Sequence, residues 1–234
     1  MELVGDQFME SDLKVLYEDN HLIAVYKPAG VLVQGDETGD PTLMDEVKYY
    51  LKTKYHKLGK VYLGLLHRLD RPVQGIILFA KTSKGASRLS QQFREHKVEK
   101  IYEAIVVGKP KKAKDTLVHW LKKDKSKNKA TVYMNETTGS QEAVLHYEIE
   151  RTNGKFSLLK IRLETGRPHQ IRAQLAAIGC PVVGDVKYGA PEALPDKSLA
   201  LAATSLTFAT ATGTTRQELR IPLLSAWSRF VESG

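Results

Sequence analysis

Residues 67–82 read HRLDRPVQGIILFAKT, and an apolar run, VYLGLL at 61–66, comes directly before them. Two strand-like runs therefore enclose a charged loop. If the loop is extended, Arg68 and Asp70 point to one side and Leu69 points to the core, because side chains alternate along a strand. Arginines on both sides of Asp70 favour its ionised form, which suits a nucleophile or a charge stabiliser better than a proton donor. A purely structural Asp–Arg pair is the alternative interpretation.

The rest of the chain is rich in short runs of strand character. Those runs are LIAVY (22–26), VYLGLL (61–66), IILFA (76–80), IYEAIVV (101–107), TVYM (131–134), VLHYEI (144–149), FSLLKIRLE (156–164) and LTFAT (206–210). The short gap RTNGK after VLHYEI predicts a hairpin, and a hairpin joins antiparallel strands.

Three amphipathic helices are predicted, each with an apolar stripe at helical spacing. The stripes are Leu43, Val47 and Leu51 after a Thr42 cap, Ala86, Leu89 and Phe93 after Ser83, and Ile171, Leu175 and Ile178 between Pro168 and Gly179. The opposite face of the third helix would carry His169 and Arg172. We therefore expect an α+β protein, with helices flanking a largely antiparallel or mixed central sheet and a central cleft.

The chain has 234 residues, 42% of them hydrophobic, so it can fill a core without covalent staples. Its single cysteine, Cys180, can form no internal disulfide and cannot supply the paired thiolates of a structural zinc site. The motifs GxxxxGKS/T, GxGxxG, GxSxG, HExxH and PCxxC do not occur, which removes the usual support for nucleotide hydrolysis, dinucleotide chemistry, serine hydrolysis and zinc enzymes. We expect neither a metal ion nor an organic cofactor.

No stretch of eighteen apolar residues occurs in the sequence. Residues 1–12 carry four acidic residues and no basic one, which is unlike a secretory signal. We interpret residues 1–12 as a flexible tail and residues 13–234 as one continuous domain of a soluble, cytoplasmic, monomeric protein.

The net charge of +8 is concentrated in one segment. Residues 109–129 hold nine lysines against two aspartates, so 9 − 2 gives +7. A patch of this kind is typical of proteins that bind a phosphate backbone, because each neutralised phosphate releases counterions. A solvated lysine-rich surface loop is the alternative.

The segment HRLDRPVQGIILFAKT resembles the signature loop of the RluA-type pseudouridine synthases, commonly HRLDxxTSG followed by an apolar strand. Three further stretches resemble that family's motifs in the same order. They are DNHLIAVYKPAGVLVQ (19–34), KIYEAIVVG (100–108) and LETGRPHQIRAQLAAIGCPVVGDVKYG (163–189). Four ordered motifs are far more specific than HRLD alone. The resemblance implies the pseudouridine synthase fold and an isomerase that acts, without a cofactor, on uridines of ribosomal or transfer RNA.

The resemblance also implies roles for individual residues. Asp70 takes the position of the catalytic aspartate, which either attacks C1′ or removes the C2′ proton. Tyr102 takes the position of a tyrosine that stacks on the flipped base, and Arg172 that of an arginine that pairs with the aspartate. Without the motifs, Tyr102 would be an ordinary strand tyrosine and Arg172 a surface helical arginine. Arg68 takes the position of an arginine that displaces or replaces the flipped nucleotide. Arg167 and His169 are the expected phosphate contacts.

The signature loop departs from the family pattern, since Val73 and Gln74 stand where Thr and Ser are usual. Two hydroxyls are absent, and Gln74 could replace one of their contacts. We also expect no separate N-terminal S4 domain, so RNA choice would rest on the catalytic domain, with a lysine-rich insertion at 109–129 on the RNA backbone. The altered loop keeps a second interpretation open, a catalytically silent RNA-binding or ribosome-assembly factor. A nucleoside glycosidase is a third, which lacks the expected second carboxylate.

Overall fold

A computed structural model describes residues 13–124, 126–213, 215–223 and 225–232. The predicted flexible tail at 1–12 lies outside these ranges. The described chain divides into two compact units, unit 1 with residues 13–97 and 208–219 and unit 2 with residues 98–207 and 220–232. The single catalytic domain over 13–234 remains a prediction.

The helices and strands, in chain order, are as follows. They are β1 (Val15–Glu18), β2 (Leu22–Lys27), α1 (Leu43–Lys54), β3 (Gly64–Leu65), β4 (Gln74–Ala80), α2 (Ser83–Arg94), β5 (Glu99–Val107), β6 (Lys114–Asp124), β7 (Lys129–Tyr133), β8 (Gln141–Thr152), β9 (Phe156–Leu163), α3 (Gln170–Ala177), β10 (Leu201–Ala209), β11 (Arg216–Arg220) and α4 (Ser228–Val231). In the described residues, no helix is both long and apolar enough to cross a membrane.

Unit 1 is built around β4, whose seven residues are all buried. β2 pairs antiparallel with β4, from Leu22 opposite Ala80 to Lys27 opposite Gly75. β1 pairs antiparallel with β2, and the short β3 pairs antiparallel with β4. The charged loop at residues 67–73 therefore leads directly into a strand that is buried on both faces.

Both helices of unit 1 start at threonine caps. The Thr42 and Thr82 hydroxyls accept hydrogen bonds from the backbone N–H groups of Asp45 and Gly85, at 3.2 and 3.1 Å. The α1 stripe of Leu43, Val47 and Leu51 is fully buried, as predicted. In α2, a Cβ on Gly85 would lie 2.6 Å from the His21 carbonyl oxygen, so only glycine allows this helix to approach β2 so closely.

Unit 2 contains a sheet in the order β10, β5, β9, β8, β6, β7, and every one of these pairings is antiparallel. One core cluster lies between β5, β9, β10 and the C-terminal residues Trp227 and Val231. A second cluster packs Ala173 of α3 against Leu121, Ala130 and Ala143 of the sheet. The predicted α+β class with a largely antiparallel sheet is confirmed.

The lysine-rich segment 109–129 is not a loop, because most of it forms β6. Leu117, His119 and Leu121 are buried while Thr116 and Val118 are exposed. This alternation was hidden in the sequence by the lysines at both ends of the strand. β6 pairs with β8 on one side and with β7 on the other.

The third helix departs from its prediction. Pro168 lies in a turn, and α3 begins at Gln170 after His169, which adopts the left-handed conformation at φ 55°. The expected polar face of α3 is absent, since residues 170–175 are all buried. Arg172 is therefore a buried arginine and not a surface one. Gly179 follows the helix at φ 79°, the conformation expected for a terminating glycine.

Candidate active site

Asp70 lies in the loop between β3 and β4 of unit 1. The Asp70 carbonyl accepts a hydrogen bond from the Val73 backbone N–H at 3.0 Å, which closes a four-residue turn. Leu69 is buried, Arg68 is exposed and Asp70 is half-buried. This is the alternation that the extended pattern predicted, and it leaves the Asp70 side chain partly accessible.

Lys27, at the end of β2, holds the backbone of the Asp70 loop. Its side chain is fully buried, and its ammonium donates hydrogen bonds to the carbonyls of Pro28 at 2.9 Å and Arg71 at 3.0 Å. The backbone N–H of Gly30 donates to the same Arg71 carbonyl at 2.8 Å. The KPAG turn is thereby tied to the residue that follows Asp70.

Burial lowers the pKa of Lys27 to about 7, against a partial rise caused by the charge of Asp70 and a further lowering by that of Arg71. The Lys27 amine and the Asp70 carboxylate therefore lie close enough for their charges to interact. Lys27 was not among the predicted site residues, although it is the first residue of the KPAG motif at 27–30.

We expect Lys27→Met to change the pH dependence of stability. Between pH 7 and about pH 10, the unfolded chain keeps a proton on Lys27 that the folded chain releases, so the free energy of unfolding of the wild type rises with pH. The variant lacks this contribution, so the wild type should gain roughly 3 kcal/mol relative to it between pH 7 and 9.5. Urea unfolding at both pH values measures the difference. A difference independent of pH, as expected for Lys84→Met on the surface, would show that Lys27 stays charged.

Two more side chains fix the loop on either side of Asp70. The Leu78 backbone N–H donates to His67 Nε2 at 3.0 Å, and the His67 ring stacks on Phe93 with centroids 5.1 Å apart. Gln74 is buried, and its Oε1 accepts a hydrogen bond from the Tyr26 hydroxyl at 2.9 Å. The residue that replaces the usual serine therefore makes a contact of its own, to β2.

The Arg71 side chain pairs with residues of the 30–40 segment. Its Nη2 forms a salt bridge with Asp40 at 2.7 Å, and its Nε donates to the Gly30 carbonyl at 2.9 Å. Arg71, one of the two arginines beside Asp70 in the sequence, therefore mainly anchors the loop. Lys27 is a further basic residue near Asp70.

In unit 2, Tyr102 is the fourth residue of β5. It is 7% exposed and lies opposite Ala203 of β10 and Ile161 of β9. A central strand with partners on both sides gives this ring little freedom to move.

Arg172 forms a buried bidentate salt bridge with Asp185. The Nε–Oδ2 distance is 2.6 Å and the Nη2–Oδ1 distance is 2.9 Å. The Arg172 guanidinium also lies 5.1 Å from the centroid of the Tyr188 ring. This geometry fixes the guanidinium in one orientation. Arg172 was a predicted site residue, but Asp185 and Tyr188 were not, although both lie in GDVKYG (184–189) at the end of the third motif.

Tyr188 connects Arg172 to His169. The Tyr188 hydroxyl lies 3.0 Å from His169 Nδ1 and accepts a hydrogen bond from the Ala130 backbone N–H at 2.7 Å. Lys129 Nζ lies 5.1 Å from the centroid of the same ring. Of the predicted residues in unit 2, the structure therefore brings His169 and Arg172 together around a phenol that was not predicted.

Arg167 lies apart from this group. Its Nε donates to the Glu142 carbonyl at 2.8 Å, and its backbone N–H donates to Gln170 Oε1 at 3.0 Å. It lines a cavity of about 330 Å³ together with Lys123 and Ser140. Two cations on one cavity suit an anionic group such as a phosphate. Among the described residues, no group of three His, Cys, Asp or Glu side chains could hold a metal ion.

Comparison with known proteins agrees with the fold and the motifs. Residues 21–177 match the RNA pseudouridylate synthase family. The chain is 33% identical over 179 residues to the ribosomal large subunit pseudouridine synthase D of Zymomonas mobilis, covering 76% of this chain and 56% of that protein. It is 34% identical over 189 residues to the tRNA pseudouridine synthase C of Vibrio parahaemolyticus, covering 76% and 74%. The chain belongs to the RNA pseudouridylate synthase family.

A solved structure supports the fold assignment. Human RNA pseudouridylate synthase domain containing 4 matches with a TM-score of 0.76 at 23% identity, over 92% of this chain and 90% of that one. The chain spans little more than half the length of some curated relatives, 56% of the Zymomonas protein and 58% of another.

Proposed function

We propose that this chain is an RNA pseudouridine synthase, an isomerase that converts selected uridines of ribosomal or transfer RNA into pseudouridine. The reaction breaks the N1–C1′ bond, turns the uracil and joins C5 to C1′, while the C5 proton is lost and N1 gains one. It needs no external group. The observation that carries the proposal is the HRLD loop, whose half-buried Asp70 is held on a buried strand by Lys27, His67 and Gln74.

In this proposal the Asp70 carboxylate acts at the ribose, either by attacking C1′ or by removing the C2′ proton. The target uridine is flipped out of its helix, because the reacting atoms are not accessible in a stacked base. Tyr102 stacks on the flipped base, and Arg172 pairs with Asp70. Arg68 fills the place of the extruded nucleotide. The phosphate contacts are Arg167 and His169.

The substrate class is supported by the relatives, which are named for ribosomal and transfer RNA. We further propose that the enzyme is cytoplasmic and monomeric and that it uses no metal ion or cofactor. Gln74 keeps the altered loop hydrogen-bonded to its neighbouring strand through Tyr26, so the loss of the usual hydroxyls does not by itself argue against an active enzyme.

The proposal is tested with purified protein and unmodified transcripts of transfer RNA and large-subunit ribosomal RNA carrying tritium at C5 of uridine. We expect tritium release and, after sequencing, pseudouridine at defined positions. RNA binding without release from any transcript would support the silent RNA-binding factor instead. Release from free uridine would support a nucleoside enzyme.

We further expect the exposed lysines of the β6–β7 region to contact RNA phosphates. Lys122, Lys123 and Lys127 are exposed, and within the described ranges no carboxylate forms an ion pair with them. Changing all three to Gln should raise the Kd for RNA and flatten the slope of log Kd against log salt by roughly 2, at 0.7 to 0.9 per phosphate. Filter binding between 50 and 300 mM salt measures this slope.

The same segment supplies a matched control. Lys112 and Lys114 are already paired with Asp115 at 3.0 Å and Glu148 at 2.6 Å, so they should release fewer counterions on binding. Changing these two lysines to Gln should alter the slope much less for each charge removed. If both sets of substitutions changed the slope equally for each charge removed, the segment would act only through its overall positive charge and not through specific phosphate contacts.

A further inference from the structure

A second concentration of positive charge lies in unit 1, outside the lysine-rich segment of unit 2. Residues 48–62, the second half of α1 and the loop that follows, read KYYLKTKYHKLGKVY. They contain five lysines and no acidic residue. The net charge of the chain does not reveal this segment, because acidic residues elsewhere cancel its positive charge.

The segment also exposes aromatic and apolar groups. Tyr49 is 37% exposed, Tyr55 46% and Tyr62 50%, and Leu58 projects fully into solvent. A cavity of about 370 Å³ opens here, lined by Tyr49, Leu58 and Val61 together with Lys48, Lys52, Gly59 and Lys60. A depression with three ammonium groups and a tyrosine combines the two features that single-stranded nucleic acid uses, phosphate contacts and a stacking surface.

The positive charges of this surface are not equivalent. Lys54 is paired with Glu18 at 2.7 Å, and Lys81 is paired with the same carboxylate at 2.6 Å. Across the described parts of the chain, no carboxylate forms an ion pair with the remaining four lysines of the segment. These are Lys48, Lys52, Lys57 and Lys60.

Glu18 also makes the surface rigid. Its carboxylate accepts hydrogen bonds from the hydroxyls of Tyr55 at 2.7 Å and Tyr50 at 3.2 Å, in addition to the two lysines. Burial alone would raise the pKa of Glu18, but the hydrogen bonds from Lys54, Lys81 and Tyr55 outweigh it and lower that pKa to about 2. Glu18 is therefore charged at neutral pH and fixes the end of α1 against β1. A surface held in place before binding loses less entropy when a ligand arrives.

We propose that this surface, residues 48–62, binds the backbone of the substrate RNA outside the target nucleotide. Lys48, Lys52 and Lys60 contact phosphates, and Tyr49 contacts one unpaired base. The inference rests on the proposed function for the choice of RNA, and charge complementarity selects a polyanion over an apolar partner. The site would give this chain a second RNA contact, in unit 1, independent of the lysines of β6 and β7.

The test compares two triple variants of the full chain that remove the same charge. Lys48→Gln/Lys52→Gln/Lys60→Gln should raise the Kd for unmodified transfer-RNA transcripts roughly tenfold at 0.15 M salt and flatten the salt slope by roughly 2. The control, Lys84→Gln/Lys155→Gln/Lys197→Gln, changes three exposed lysines elsewhere and should change the Kd less than threefold. Equal losses in the two triple variants would overturn the proposal.

A single variant tests the stacking contact. Tyr49→Leu should weaken binding of transcripts with unpaired loops by roughly fivefold or more and leave binding of a fully paired RNA duplex unchanged. Vesicles with phosphatidylserine test the competing anionic surface. Loss of vesicle binding by the first triple variant, with RNA affinity intact, would overturn the RNA assignment.

Failure of the inference and failure of the proposed function give different results. Tritium release at saturating RNA reports the isomerase, and the Kd reports the surface. Release by the wild type together with equal binding of both triple variants would reject the surface alone. Binding that depends on Lys48, Lys52 and Lys60, without release from any transcript, would reject the isomerase and keep the surface.

Discussion

Asp70→Asn is expected to abolish tritium release from C5-labelled uridine in RNA, with a loss of at least about 10⁴-fold, while the Kd for RNA changes less than threefold. The amide keeps the shape of the carboxylate but can neither attack C1′ nor accept the C2′ proton. The loop backbone should keep its conformation, because the Asp70 carbonyl accepts from the Val73 N–H and the Lys27 ammonium donates to the Arg71 carbonyl. The asparagine substitution alters neither group.

Asp36→Asn is the matched control for Asp70→Asn. It removes one carboxylate from the same unit at an exposed position, where Asp36 accepts hydrogen bonds from the Thr38 backbone N–H at 2.9 Å and from the Thr38 hydroxyl at 2.6 Å. It should release tritium at the wild-type rate. Unchanged release by Asp70→Asn would remove Asp70 from the reaction, and a parallel loss of RNA binding would reassign it to substrate binding.

The elements that the sequence predicted best are those with one clear periodicity. The α1 stripe and its Thr42 cap appear as expected, because a helix with one buried face repeats its apolar residues every three or four positions. β4 was recognisable as an uninterrupted apolar run, which is typical of a strand buried on both faces. Local pattern was sufficient in both cases.

The failures come from tertiary contacts that no local pattern contains. β6 was not predicted, because lysines at its ends masked a central alternation that depends on its pairing with β7 and β8. VYLGLL looked like a full strand, but only Gly64 and Leu65 pair with β4. Helical spacing alone would make Arg172 a surface arginine, whereas packing on the sheet and the salt bridge with Asp185 bury it.

The same division applies to the candidate site. The position of Asp70 could be predicted because the motif and the alternation with Leu69 are local. Lys27, Asp185 and Tyr188 could not be identified as partners, since the residues they contact lie 44, 13 and 58 positions away in the sequence. All three residues lie in motifs that resemble the family, but a motif does not show which residues its members contact.

Substitutions in the buried Arg172–Asp185 salt bridge are expected to change stability strongly. Asp185→Asn should lower the free energy of unfolding by about 3 kcal/mol, because it removes the negative charge from a buried bidentate ion pair. Arg172→Met should lose stability to a similar degree for the reciprocal reason. Replacing both residues by apolar side chains of similar size, Arg172→Met with Asp185→Leu, should restore stability to within about 1 kcal/mol of the wild type.

Activity should not follow stability in this set. If Arg172 orients Asp70, as proposed, the double variant stays at least about 100-fold reduced in kcat although it is folded, because no guanidinium is present. Urea unfolding and single-turnover tritium release at saturating RNA measure the two quantities separately. A stable double variant with wild-type kcat would confine Arg172 to a structural role, and Arg172→Lys, which keeps the charge but loses the bidentate geometry, should then also be active.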